Sequence, residues 1–315
     1  MVRFVHVIII ISFLLVNYSC KNNSNSVKVG FLVHTLNDER WAIERDIIVE
    51  YISEQGGAVL FNNAENNERL QYQQALEMIK QGVDVLIISP VNSKSAASIV
   101  RMCHTNKVKV IAYDIIIENS DLDLYVSFDN EKIGEQMAQY ASTICKKGNY
   151  VLFWGDGSMA ISHWIKGGQL KVLSPLIEDE SVNVVYQSFV EGWSAVNAKM
   201  KMKRIIDMYN QDIDVVIASS DGIAQGVIDA YLESGIYDMP IITGQDASLS
   251  AIENIKNGYQ SMSIEKSFND LALVAAKNAL LMAKNRETST SRIVNNGRFE
   301  VPSVLIETNL YEINN

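Results

Sequence analysis

Five apolar runs in this sequence end in short polar clusters that combine carboxylates, amides, hydroxyls and a single cation. Val108–Tyr113 is followed by Asp114, and Tyr125–Phe128 by Asp129-Asn130. Val215–Ala218 is followed by Ser219-Ser220-Asp221, Ile241–Thr243 by Gly244-Gln245-Asp246, and Ser261–Glu265 by Lys266. After the first apolar run come Asn37-Asp38-Glu39-Arg40-Trp41, and Trp193 follows the turn Glu191-Gly192. Carboxylates and amides hydrogen-bond adjacent hydroxyls, while flat rings cover C–H faces, so this combination suits the grip of a polyhydroxyl compound.

The same residues have plainer uses. Asn37 or Asp38 can cap the helix that follows, Asn67 precedes another helix start, and a strand-end Asp such as Asp221 is a common cap. Trp154 and Trp164 suit packing, and the basic run Lys199–Arg204 suits a solvated helix face. Three acids facing one cleft (Asp114, Asp129 and Asp246) resemble the pair of a glycoside-processing enzyme. Lys266 argues against that, because a neighbouring cation keeps carboxylates ionised. No nucleophile elbow or phosphate-binding loop accompanies them. His34, His104 and His163 are scattered, so neither a metal nor a cofactor is expected.

The elements that must position these groups alternate. Strand candidates at Val27–Val33, Ala58–Asn62, Val83–Ser89 and Val108–Tyr113 precede a second series, Tyr125–Phe128, Tyr150–Trp154, Val182–Gln187, Val215–Ala218, Ile241–Thr243 and Ser261–Glu265. Amphipathic stretches lie between them, with Tyr72, Ala75, Leu76 and Ile79 at helical spacing. Continuously apolar strands are buried on both faces of a parallel sheet. The pattern is therefore α/β, with two doubly wound parallel-sheet lobes, in which ligands bind beyond the carboxyl ends of the strands. Residues 27–128 with about 266–290 are expected in one lobe, and 129–265 with about 291–310 in the other. A chain that crosses several times makes a hinge; no Pro- or Ser-rich linker is visible.

Of the 315 residues, 48% are hydrophobic and 20% charged, which excludes collagen-like and disordered classes. The net charge of −10 argues against a nucleic-acid partner. Met1–Cys20 pairs Arg3 with an apolar stretch from Phe4 to Val16, shorter than the roughly 20 residues of a membrane span, and ends in Ser19-Cys20. This resembles a lipoprotein signal peptide that leaves Cys20 as a lipid-bearing N-terminus. Without residues 1–19 the balance becomes −11, 26 basic residues against 37 acidic. Cys103 and Cys145 are expected as free thiols.

In order and spacing, several segments together resemble one family. They are Glu39-Arg40-Trp41, Gly82-Val83-Asp84-Val85-Leu86, Ala112-Tyr113-Asp114, Val126–Lys132, Glu191-Gly192-Trp193, Gly244-Gln245-Asp246-Ala247, Lys266 and Asn295-Asn296-Gly297. The family is the periplasmic sugar-binding proteins of ABC importers, built on the type I periplasmic binding fold. The resemblance implies a non-enzymatic, monomeric protein that closes two lobes over a xylose-like or related monosaccharide. It would deliver the sugar to a membrane permease or report to a membrane sensor kinase. It further implies that Trp41 and Trp193 sandwich the ring, and that Arg40, Asp114, Asp129, Asn130, Ser220, Asp246 and Lys266 bond its hydroxyls. The chain departs from the family pattern in three places. Ile115 stands where an Arg follows Tyr-Asp, Ser220 where an Asn precedes the strand-end Asp, and Gly155–His163 where an Asn-rich segment lies. An Ile at the first position leaves a hydroxyl of xylose itself without its partner.

Overall fold

The structure, a computed structural model, describes residues 26–37, 40–209 and 212–313. The signal segment with Cys20, and Asp38 and Glu39, lie outside the described residues. The first half runs β1 (Lys28–Val33), α1 (Arg40–Glu54), β2 (Ala58–Asn63), α2 (Glu68–Lys80), β3 (Val85–Ile88), α3 (Ala97–Thr105), β4 (Lys109–Tyr113) and β5 (Leu124–Phe128). It continues with α4 (Asn130–Ile144), β6 (Gly148–Trp154), α5 (Ala160–Glu178), β7 (Val182–Phe189), a 3-10 turn (Glu191–Trp193), α6 (Ala195–Met208), β8 (Val215–Ala218) and α7 (Asp221–Glu233). The last part comprises β9 (Ile241–Ile242), α8 (Leu249–Lys256), β10 (Ser263–Glu265), α9 (Phe268–Ala283), β11 (Arg292–Asn295), β12 (Glu300–Ile306) and β13 (Asn309–Tyr311).

Sequence chemistry accounts for the starts and the interiors. Asn67, Asp129, Ser194, Ser220, Ser248 and Ser267 each accept the backbone N–H three residues on, capping α2, α4, α6, α7, α8 and α9. The runs VLII of β3 and VVIA of β8 are buried throughout, as central parallel strands must be.

One sheet has the order β11-β12-β5-β4-β3-β1-β2, and another the order β7-β6-β8-β9, confirming two parallel-sheet lobes. An isolated bridge between Gln245 and Ile264 and the antiparallel pair β10–β13 continue the second sheet past β9. The tail corrects an expectation. Residues 292–306 do not join the second lobe, because Ser303–Ile306 run parallel to Tyr125–Phe128 and close the open edge of β5 in the first sheet. Only β13 belongs with the second. Helix α9 packs on α1 and on β3, β4, β5 and β12, so it too lies on the first lobe. The chain therefore crosses between the lobes after β5, after β10 and after β12.

The lobes touch. Trp164 of α5 meets the Tyr125 ring of β5 at 6.3 Å, and one apolar cluster runs from Val29 and Ile111 through Ile133 to Leu152. Within the second lobe, α4 and α5 press backbone to backbone: a Cβ on Gly168 would collide with the Glu131 carbonyl. Cys103 is buried, Cys145 half-buried, and both are free thiols. Gly168→Ala should cost about 1–3 kcal/mol, since overpacking against backbone has no side chain to yield. Calorimetry should show a melting temperature lower by several degrees; an unchanged one would contradict the contact.

Candidate functional site

Arg40 opens α1, and its guanidinium donates to the Asp114 carboxylate at the end of β4, with Glu44 one helical turn on at 3.5 Å. The same guanidinium lies 4.1 Å from the Trp41 ring centre and 4.4 Å from that of Phe268, the first residue of α9. Lys266, on the chain crossing from β10 to α9, reaches Asp246 of the second lobe at 2.6 Å. Its ammonium stands 5.4 Å from the Phe128 ring and 5.6 Å from that of Phe268. Two ion pairs, one within the first lobe and one between the crossing strand and the second lobe, thus share the Phe268 ring. Glu44 is fully buried and also accepts from the Tyr113 hydroxyl.

Three candidate ligands hold the left-handed backbone that side chains disfavour: Asp114 at φ 63°, Trp193 at 54° and Asp246 at 101°. Such conformations cost about 1–3 kcal/mol each and persist where neighbours over-determine them. At Asp114 the neighbours are evident. Its N–H donates to Val126 O at 2.8 Å, and its carbonyl accepts from Tyr125 Oη at 3.0 Å and Ser127 Oγ at 2.9 Å. At Asp246 the N–H donates to Ile264 O at 2.8 Å. Trp193 packs closely on the Gly155 backbone: a Cβ there would lie only 2.1–2.3 Å from three atoms of its ring. Its indole N–H points to Met159 Sδ at 3.3 Å.

Burial works against ionising Asp114, but the Arg40 guanidinium and then Lys266 outweigh it and hold the carboxyl below its usual range. Burial likewise disfavours the Arg40 charge, and Asp114 and Glu44 more than restore it. Asp114 is therefore a permanent acceptor at neutral pH, not a proton donor.

The structure brings together Arg40, Trp41, Asp114, Asp246 and Lys266, and places Trp193 by the start of α5. Trp41 is only 2% exposed, with Arg40 over one face, the His34 ring edge-on at 4.9 Å and Tyr113 at 6.2 Å. Three candidates are committed elsewhere. Asp129 caps α4 and pairs with Arg292 at 2.8 Å in a separate crevice, drawn there because β11 joins the first sheet. Asn130 is buried and donates to the Phe128 carbonyl at 3.2 Å. Ser220, not Asp221, caps α7, its hydroxyl accepting from Ile223 N at 3.2 Å. Sequence reasoning missed Phe268, Glu44 and His34. The i, i+4 spacing of Arg40 and Glu44 was a readable signal; Phe268 had none beyond its place just after Lys266.

A family model described as "Periplasmic binding protein domain" matches residues 29–287. The D-xylose-binding periplasmic protein of Escherichia coli K12 is 37% identical over 295 residues, covering 94% of this chain and 89% of its own. The D-xylose-binding periplasmic protein of Haemophilus influenzae is 36% identical over 290 residues, covering 92% and 87%. Among solved structures, an ABC transporter solute-binding protein from Clostridium phytofermentans with bound β-D-glucose superposes with a TM-score of 0.81. It is 29% identical and covers 90% of this chain and 94% of that one.

Asp221, the first residue of α7, is 5% exposed and ties three segments of the second lobe together. Its carboxylate accepts from Ser248 N at 2.9 Å, Ser263 Oγ at 2.7 Å and Gln260 Nε2 at 3.0 Å. Burial, and then the charge of Asp246, push this carboxyl from 3.8 up to about 6 despite those donors. Between these values the folded protein holds a proton that the unfolded chain has lost, so stability falls as pH rises through the window. Asp221→Asn is neutral throughout. Measured by urea denaturation, its stability relative to the parent should therefore increase between about pH 4 and pH 7. A difference independent of pH would refute the assignment.

Proposed function

Because this chain belongs to the periplasmic binding protein family, we propose that it captures a monosaccharide between its two lobes and presents it to an ABC-type membrane permease. The observation that carries this reading is the convergence of two ion pairs on Phe268. One pair joins Arg40 at the start of α1 to Asp114 at the end of β4 in the first lobe; the other joins Lys266 of a crossing segment to Asp246 of the second. Closure about the three crossings brings such groups to one ligand. The relatives named as D-xylose-binding and the neighbour holding β-D-glucose support a monosaccharide as that ligand.

The chemistry is recognition, not turnover. A sugar hydroxyl donates to the ionised Asp114 or Asp246 and accepts from Arg40 or Lys266, charged hydrogen bonds worth about 1.5–3 kcal/mol each. In the empty cleft the same four groups neutralise one another, so no isolated charge is left buried. Trp193, backed by Gly155, supplies a flat apolar face for the ring. The protein acts as a monomer, and a lipid on Cys20 would hold it to the membrane through a polar tether beginning Lys21-Asn22-Asn23.

Thermal-shift screening of pentoses, hexoses, polyols and cyclitols should find a ligand that raises the melting temperature, by the equivalent of about 2.7 kcal/mol at 100 times its Kd. No response to any of them would overturn the reading. With that ligand, Arg40→Ala should weaken binding about tenfold or more, since it removes a charged donor and leaves Asp114 unpaired. Trp193→Ala should abolish the change in tryptophan fluorescence on binding; unaltered affinity in both variants would place the site elsewhere.

A further inference from the structure

The peptide that joins Asp114 to Ile115 is held at both of its ends. Its N–H, from Ile115, donates to the Tyr113 carbonyl at 2.7 Å and closes a three-residue turn centred on Asp114. With Asp114 at φ 63°, this is the γ-turn of the rare and strained hand. Its carbonyl, from Asp114, accepts from Tyr125 Oη at 3.0 Å and Ser127 Oγ at 2.9 Å, two residues apart on one face of β5. A carbonyl oxygen has two lone pairs, and both are engaged. The two donors are fully buried. The neighbouring strand therefore fixes the plane of this peptide, and that plane aims the Asp114 carboxylate at Arg40.

Tyr125 has a second contact, and it comes from the other lobe. Trp164 of α5 meets its ring at 6.3 Å, with the planes tilted by 55°. Ala160, one turn earlier on α5, packs beside Trp164 against the same first-lobe cluster, which contains Ile116, Ile117 and Leu122 from the chain just after Asp114. Trp164 is half-buried. Because α5 lies between β6 and β7 of the second sheet and Tyr125 lies in the first, this apolar contact spans the lobes. Opening about the crossings would withdraw Trp164 and leave the Tyr125 ring uncovered on that side.

Resting on the sugar-binding reading, we propose that Tyr125 is a positioning residue for the Asp114 carboxylate and that Trp164 makes this positioning depend on lobe closure. Neither side chain has to touch the ligand. Tyr125 holds the peptide through its hydroxyl. Trp164 steadies the ring that carries this hydroxyl, and its own burial favours the closed arrangement. A ligand enclosed by the lobes then meets a carboxylate already aimed, which avoids the cost of ordering it on binding.

Two measurements on the mature protein test this. In the ligand-free protein, hydrogen exchange read by NMR should be at least about fivefold faster at the Ile115 amide in Tyr125→Phe, which removes only the hydroxyl, with the β3 amides unchanged. Trp164→Ala should do the same, and Trp164→Phe, which keeps a ring, should restore most of the protection. Calorimetric titration with D-xylose and with D-glucose should show binding about 3–10-fold weaker in Tyr125→Phe and about tenfold weaker in Trp164→Ala. In the double variant the combined loss should be smaller than the product of the two, because the hydroxyl counts only while Trp164 steadies its ring. Ligand-free melting curves identify a variant that has lost its fold, and Trp164→Leu replaces Trp164→Ala in that case. Unchanged exchange at Ile115 in Tyr125→Phe overturns the positioning role. Losses that multiply in full overturn its link to Trp164. Failure of both sugars to bind counts against the sugar-binding reading, and the exchange rates then decide the roles of Tyr125 and Trp164 by themselves.

Discussion

The buried pairing of Arg40 with Asp114 is the constraint around which the cleft is arranged. A guanidinium 18% exposed and a carboxylate 11% exposed cannot stand alone there; breaking such a pair by removing one partner costs about 3–5 kcal/mol. The surrounding residues meet that demand. Glu44 approaches the guanidinium from the next turn of α1 and Tyr113 donates to Glu44, while Trp41 and Phe268 cover the planar faces. Each comes from a different place in the chain: the start of α1, the end of β4 and the start of α9. Holding this one pair therefore sets the relation of the first sheet to the segment that returns from the second lobe.

Backbone strain points the same way. Asp114, Trp193 and Asp246 carry side chains at positive φ, at strand ends and a 3-10 turn where the neighbouring strand dictates the turn. Asp221 supports the second lobe's share by fastening Ser248, two residues after Asp246, and Ser263, three residues before Lys266. The outcome is a site whose polar groups are pre-oriented and mutually neutralised, so a ligand replaces existing partners without having to organise free side chains. Orientation of this kind is where a small neutral ligand gains affinity.

The legibility of the chain was uneven for identifiable reasons. Strand positions were readable because buried parallel strands need continuous apolar runs, as in Val85–Ile88 and Val215–Ala218. The start of α2 was readable from Asn67. The polar residues at strand ends were harder to assign, because a carboxylate or hydroxyl there serves equally as cap, ion-pair partner or ligand. Ser220 caps α7, and Asp129 both caps α4 and meets Arg292. The placement of 292–306 depended on which sheet had an open edge, a property of the assembled strands and not of the tail's composition.

By itself the sequence determined the α/β class, the two lobes and the set of residue types at the strand ends, since periodicity and burial are local consequences of side-chain chemistry. The tertiary structure alone decided which of those residues meet. Arg40 and Asp114 are 74 positions apart, and whether they pair depends on sheet order and crossings. It also decided that Ile115 borders a cavity between the lobes opposite Met159. That juxtaposition exists only because the chain crosses the hinge, and packing against a distant lobe leaves no trace in local spacing.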